Sequence, residues 1–180
     1  MPSQDLGELS VLFLEQHASM RSLMRTVLRE LGITRIKEAT DPAQAFDLFQ
    51  KEDFDLILTD WTPTFDGLAF LGNIRNHEKS RNPYAPVIVV TAHAEIEQVH
   101  MARDAGMTEF LAKPISATRL HGRIRSALDG RRPFVKSRTF FGPDRRRRRM
   151  EFDGIDRRKN GSSETAVGAA GASRTGPRAA

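Results

Sequence analysis

The sequence predicts an α/β fold in which a parallel sheet is covered by helices on both faces. Three observations predict it. Val11-Leu12-Phe13-Leu14, Leu56-Ile57-Leu58 and Val87-Ile88-Val89-Val90 are continuous apolar runs, the pattern of strands buried on both faces rather than on one. Stretches of helical period separate these runs. Strand and helix alternate through five units in succession, and parallel strands need such crossovers, which run right-handed.

Each element can be justified in order. The first strand, Val11 to Leu14, leads into Glu15 and Gln16; Met20, Leu23, Met24, Val27, Leu28 and Leu31 then recur along one helical face, and Gly32 stops that helix. A weaker strand fits Ile33 to Ala39. Asp41-Pro42 with Gln44 reads as an N-cap, a proline at the first helical position and a capping-box partner. The third strand ends at Asp60 and is followed by a helix over Gly67 to His77. The fourth ends at Thr91, with a helix over Glu95 to Ala105 and Gly106 behind it. A fifth strand over Thr108 to Ala112 precedes Lys113, and the helix Ser116 to Leu128 places Leu120, Ile124, Ala127 and Leu128 on one face. Ligands of open α/β sheets bind beyond the carboxyl ends of the strands. Glu15, Gln16, Asp60, Thr91 and Lys113 are therefore predicted to share one rim.

A length of 180 residues suits one domain with an appendage. The absence of cysteine excludes disulfide scaffolds, thiolate metal sites and thiol catalysis. His17, His77, His93, His100 and His121 show no paired metal spacing and read as ordinary surface or core residues. No apolar run reaches the roughly 18 residues of a membrane helix, and the start of the chain lacks the pattern of a secretory signal. A cytoplasmic location is the expectation. Charge is segregated: residues 1–128 hold 14 basic and 17 acidic side chains, whereas residues 129–180 hold 14 and 6. The basicity belongs to the tail, so the part able to build a core gives no hint of nucleic acid.

Val11 to Arg21, Leu56 to Asp60, Thr91-Ala92 and Lys113-Pro114, in this order and at these strand ends, resemble the bacterial response-regulator receiver domain of two-component systems, the chemotaxis regulator included. The resemblance covers roughly residues 9–128 and implies a flavodoxin-like sheet of order 2-1-3-4-5 with five helices. It implies a signalling protein rather than an enzyme. Asp60 would be the phosphoacceptor, taking a phosphoryl group from a histidine kinase or a histidine phosphotransfer protein; the plain alternative is an aspartate capping the turn that follows. Mg²⁺ would be held by Glu15 and Asp60, with Gln16 and the backbone carbonyl of Thr62 as weaker contributors. Lys113 would pair with a phosphoryl oxygen, and Thr91 would donate its hydroxyl to the same group. Phe110 stands where the family carries an aromatic switch residue, although core packing accounts for it equally. Lys113-Pro114 resembles the family's cis peptide bond.

Two departures fall on the metal half of the site. Gln16 replaces the second of two adjacent acids, removing one charge. Asp60-Trp61-Thr62-Pro63 has two residues where the family usually has three, and Pro63 biases Thr62 toward extended backbone.

After residue 128 the composition changes. Residues 1–8 read as an N-terminal arm, 9–128 as the receiver, 129–160 as a basic segment and 161–180 as a disordered low-complexity tail. Phe140-Phe141-Gly142-Pro143-Asp144-Arg145-Arg146 recurs twelve residues later as Phe152-Asp153-Gly154-Ile155-Asp156-Arg157-Arg158. The duplicated Phe-x-Gly-x-Asp-Arg-Arg element suggests docking through Phe140, Arg145, Arg146, Phe152, Arg157 and Arg158, against the alternative of a solvated basic tail. No strand or helix periodicity of useful length accompanies it. The leading reading is a phosphorylated receiver that signals to a downstream protein target. A second is a phosphorylation-independent pseudo-receiver that binds partners constitutively. A third has Arg145 to Arg149 tether the receiver to nucleic acid or an anionic membrane, which the Gly- and Asp-rich turns around the aromatics favour less than protein docking. Dimerisation is left open by the sequence.

Overall fold

The computed structural model describes residues 5–62, 65–130, 132–145 and 165–167. Five parallel strands form the central sheet in the order β2-β1-β3-β4-β5: β1 Ser10–Leu14, β2 Arg35–Ala39, β3 Leu56–Asp60, β4 Val87–Thr91 and β5 Glu109–Ala112. The helices that connect and follow them are α1 Ala18–Glu30, α2 Pro42–Lys51, α3 Gly67–Asn76, α4 Ile96–Asp104 and α5 Ala117–Asp129.

Alternation along the strands sorts the core into two layers. Leu12, Leu14, Ile57, Val87 and Val89 face α2, α3 and α4, where Phe49, Phe70, Leu71 and Ile74 meet them. Val11, Phe13, Leu56, Leu58, Ile88 and Val90 face α1 and α5, against Met24, Leu28, Leu120 and Ile124. Because both faces of β3 and β4 are covered, every residue of these strands is buried. This explains their unbroken apolar runs.

Local chemistry sets the helix ends. The Asp41 side chain accepts from the Gln44 amide, with Pro42 at the first position of α2, while the Gln44 side chain reaches back to accept from the amide of Thr40 at 2.7 Å, one residue before the N-cap amide that a capping box engages. Gly32 and Gly106, with φ of 87° and 94°, take the left-handed conformation that closes α1 and α4. Leu23, predicted on the apolar face of α1, is 45% exposed. The α1 stripe is narrower than its sequence periodicity, since Met24, Val27 and Leu28 alone are buried there.

Beyond α5 the structure corrects the sequence reading. Residues expected to lack strand structure form an antiparallel hairpin, β6 Phe134–Lys136 and β7 Phe141–Pro143, and it packs against the domain. In the span read as disordered tail, Thr165–Val167 (β8) pairs antiparallel with the other edge of β6.

The hairpin seats on the sheet end where β4 and β5 begin. Arg75, near the end of α3, is 3% exposed. Its Nε donates to the Gly106 carbonyl at 2.9 Å, and its Nη1 donates to the carbonyls of Pro83 and Ala85 at 2.8 and 2.9 Å. Burial pulls its pKa down to about 9. The Phe134 ring lies 5.2 Å from this guanidinium, and Phe134, Phe141 and Tyr84 form a three-ring cluster. Of the predicted docking residues, Phe140 and Arg145 therefore belong to a segment docked on its own domain: Arg145 stacks 4.0 Å over the Phe140 ring and pairs with Asp104 at 3.3 Å. Arg146, Phe152, Arg157 and Arg158 lie outside the described residues.

Gly142 is the tightest point of this contact. A Cβ there would come within 2.7 Å of the Gly106 Cα and 2.9 Å of the Phe140 ring. Gly142→Ala is expected to lower unfolding free energy by about 1–3 kcal/mol through overpacking, read as a lower urea midpoint with faster amide exchange at Val135. An unchanged midpoint and exchange rate would show that the hairpin does not depend on this contact.

Candidate active site

The carboxyl ends of β1, β3, β4 and β5 bring four predicted residues together. Glu15 follows β1, Asp60 and Thr91 end β3 and β4, and Lys113 follows β5. The Lys113-Pro114 peptide is cis. Lys113 Nζ lies between two carboxylates, 3.0 Å from Glu15 Oε2 and 2.9 Å from Asp60 Oδ1. Glu15 and Asp60 are 0% and 1% exposed. One ammonium thus serves two buried acids, and the trio carries one net negative charge when both acids are ionised.

Its electrostatics follow from burial and partners. Burial pushes the Asp60 carboxyl above the ordinary aspartate value, and the pull of Lys113 in the other direction does not offset it. Burial also pushes Glu15 upward, but the His17 amide, 2.8 Å from its Oε1, acts with Lys113 to hold it below the ordinary value. Burial alone would lower Lys113, yet hydrogen bonds to both acids leave it raised. Asp60 Oδ2 is buried and has no hydrogen-bond partner. An unpaired buried carboxylate oxygen costs free energy, and here it is the atom available to attack an electrophile or to ligate a cation.

The loop after β3 fits tightly against this group. Thr62 and Phe65 exchange backbone hydrogen bonds at 3.2 and 3.1 Å. The Thr62 carbonyl, proposed as a metal ligand from sequence, therefore accepts from the Phe65 amide. Trp61 and Phe65 are buried in the core, and the Thr91 hydroxyl donates to the Trp61 carbonyl. A Cβ on Gly67 would stand 1.9 Å from the Asp60 carbonyl oxygen. Only glycine lets α3 begin this close to the Asp60 backbone.

The β1–α1 loop carries what sequence reasoning missed. Arg21 Nη1 donates to the carbonyls of both Glu15 and Gln16 at 2.9 Å. The Gln16 side chain is exposed. His17, read from sequence as an ordinary residue, occupies the N-cap position of α1 without capping it. Its Nδ1 lies 2.9 Å from Glu15 Oε1, and Glu15, His17 and Asp60 bring potential ligand atoms within 4.8 Å of one another. The available signal was position, since His17 is two residues beyond a rim carboxylate. Phe110 is half-buried on β5 and packs against the layer that contains Trp61.

Residues 11–125 match the response regulator receiver domain, and the chain belongs to that family. It is similar to the chemotaxis protein CheY-3 of Vibrio cholerae, 33% identical over 117 residues that cover 64% of this chain and 88% of that protein. The chemotaxis protein CheY of Pseudomonas aeruginosa is 32% identical, covering 64% and 93%. Among solved structures, the receiver domain of a sensor histidine kinase from Pseudomonas aeruginosa, with a magnesium ion coordinated in its active site cleft, is 29% identical with a TM-score of 0.58, covering 68% of this chain and 98% of that one. The site is thus that of a receiver of two-component systems.

The raised Asp60 and lowered Glu15 carboxyls predict opposite effects on stability. A carboxyl raised by folding costs stability above its folded pKa, and the cost disappears as falling pH protonates it. Asp60→Asn is expected to raise the urea midpoint at pH 7, with the gain shrinking toward pH 4. Glu15→Gln should lower the midpoint at pH 7, because a depressed carboxyl stabilises the fold until falling pH reaches its folded pKa. Destabilisation by Asp60→Asn at pH 7 would contradict this assignment.

Proposed function

We propose that this chain is a response regulator that accepts a phosphoryl group on Asp60 from a histidine kinase or a histidine phosphotransfer protein and signals through protein contacts. The observation that carries this reading is the buried, unpartnered Oδ2 of Asp60 beside the Lys113 ammonium. Attack by that oxygen would form a P–O bond as the donor's P–N bond breaks, the electron pair returning to the donor imidazole. Lys113 keeps Asp60 Oδ1 engaged, leaving Oδ2 for the attack, and sits close enough to meet the incoming phosphoryl oxygens. Thr91, now on the Trp61 carbonyl, would exchange that acceptor for a phosphoryl oxygen, and Phe110 would repack with the loop as the switch.

Glu15 and Asp60 fit a divalent cation, Mg²⁺ in the family, because their pocket has excess negative charge and an orphaned oxygen; such an ion supplies charge neutralisation for the phosphoryl group. Gln16 and the Thr62 carbonyl contribute less than the resemblance implies, the first being exposed and the second hydrogen-bonded.

Residues 9–128 act in this reading as the receiver in the cytoplasm, and the repeated element after it as a docking device. The first copy's contacts with its own domain, Arg145 to Asp104 among them, support that role. The exposed Gln16 favours the pseudo-receiver as the second reading.

Incubation with acetyl phosphate and a divalent cation should place a phosphoryl group on the peptide containing Asp60 and change Trp61 emission, the chain having one tryptophan. Both changes should vanish in Asp60→Asn. No covalent product, with a partner still bound by the unmodified protein, would replace this reading with the pseudo-receiver.

A further inference from the structure

We infer that the cation pocket takes a nitrogen ligand from His17 and so selects a borderline divalent transition cation, of the Fe²⁺-to-Zn²⁺ series, through an imidazole that Mg²⁺ does not favour. This rests on the cation pocket of the proposed function but not on phosphotransfer.

The oxygen set suited to Mg²⁺ is depleted on two sides. A neutral, exposed Gln16 stands where the family has an acid, and the Thr62 carbonyl, which accepts a hydrogen bond from Phe65, has at most one lone pair left for a cation. Mg²⁺ prefers an octahedral shell of oxygens and water.

An imidazole is added in their place. The His17 ring at the N-cap of α1 makes no bond to the helix amides and is turned to Glu15 at 2.9 Å. Glu15, His17 and Asp60 present two carboxylates and one imidazole within 4.8 Å, a span that one ion with ligand bonds of about 2.0–2.2 Å can gather with small side-chain shifts. The second, independent sign of a ligand is Asp60 Oδ2, buried and without a partner. A mixed nitrogen and oxygen set suits first-row transition ions better than Mg²⁺. The His17 side chain is 64% exposed, so it can move onto an ion and can be replaced without disturbing the core.

Any such pocket binds Co²⁺ more tightly than Mg²⁺, so dependence on His17 decides, not bare preference. Calorimetric titration of the full chain with Co²⁺ and with Mg²⁺ should show His17→Asn weakening Co²⁺ by about tenfold or more. Mg²⁺ affinity should change by less than about threefold, the effect of a residue outside its shell. The visible absorption of bound Co²⁺ should lose the contribution of a nitrogen ligand in the same variant. Equal weakening of both ions, or of neither, overturns the inference. Asp60→Asn separates the two levels: if it weakens both ions while His17→Asn spares the Co²⁺ preference, the pocket stands and the nitrogen ligand falls. If Asp60→Asn weakens neither ion, the pocket itself is refuted, and the inference with it.

Discussion

The Lys113 ammonium, held between Glu15 and Asp60, is the interaction on which the site depends. Two buried carboxylates this close would repel, and without a cation between them at least one would take up a proton. The His17 amide and Lys113 together prevent that for Glu15, which stays below its ordinary pKa, whereas burial leaves Asp60 raised and one of its oxygens unpaired. A buried ion pair is weak evidence of stability. Here the imbalance has a different consequence: the pocket keeps a net negative charge that a divalent cation or the positive end of a partner can neutralise. Stability is given up at one buried oxygen, as is common where strain and unsatisfied groups gather at functional sites.

The rest of the fold holds that arrangement in place from several directions. β1, β3 and β5 deliver Glu15, Asp60 and Lys113 from three points far apart in sequence, and the parallel register aligns their ends. Arg21 ties down the β1–α1 loop by its carbonyls. The loop after Asp60 is closed by the Thr62–Phe65 exchange and anchored by Trp61 and Phe65 in the core. Gly67 then allows α3 to start against the Asp60 backbone. At the opposite end of the sheet, Arg75 and its carbonyl cage receive Phe134 from the hairpin, so α3 joins the loop beside Asp60 to the seat of the C-terminal segment.

What was legible in the sequence follows from what each signal depends on. The strands β1, β3 and β4 were visible because burial on both faces leaves only apolar side chains, and the rim residues because a strand end is a position that sequence marks. The hairpin escaped notice because three-residue strands carry no periodicity, and because Phe134 and Phe141 find their partners, Arg75 and Tyr84, some fifty residues earlier in the chain. Leu23 shows the converse, an apolar residue at the right helical spacing that the narrow contact of α1 leaves outside. Histidine spacing does not mark His17, because its neighbours in the pocket are the carboxylates of Glu15 and Asp60, from two different strands.

The central claim, that two buried carboxylates sharing one ammonium divide, through burial and their unequal other partners, into a depressed and a raised member, is tested most directly by following the side-chain carboxyl carbons of Glu15 and Asp60 by NMR as pH is lowered. The account predicts that Glu15 titrates below an ordinary glutamate and Asp60 above an ordinary aspartate, and that replacing Lys113 with methionine moves both upward. Ordinary values at both positions, or titrations that Lys113→Met leaves unmoved, would contradict it.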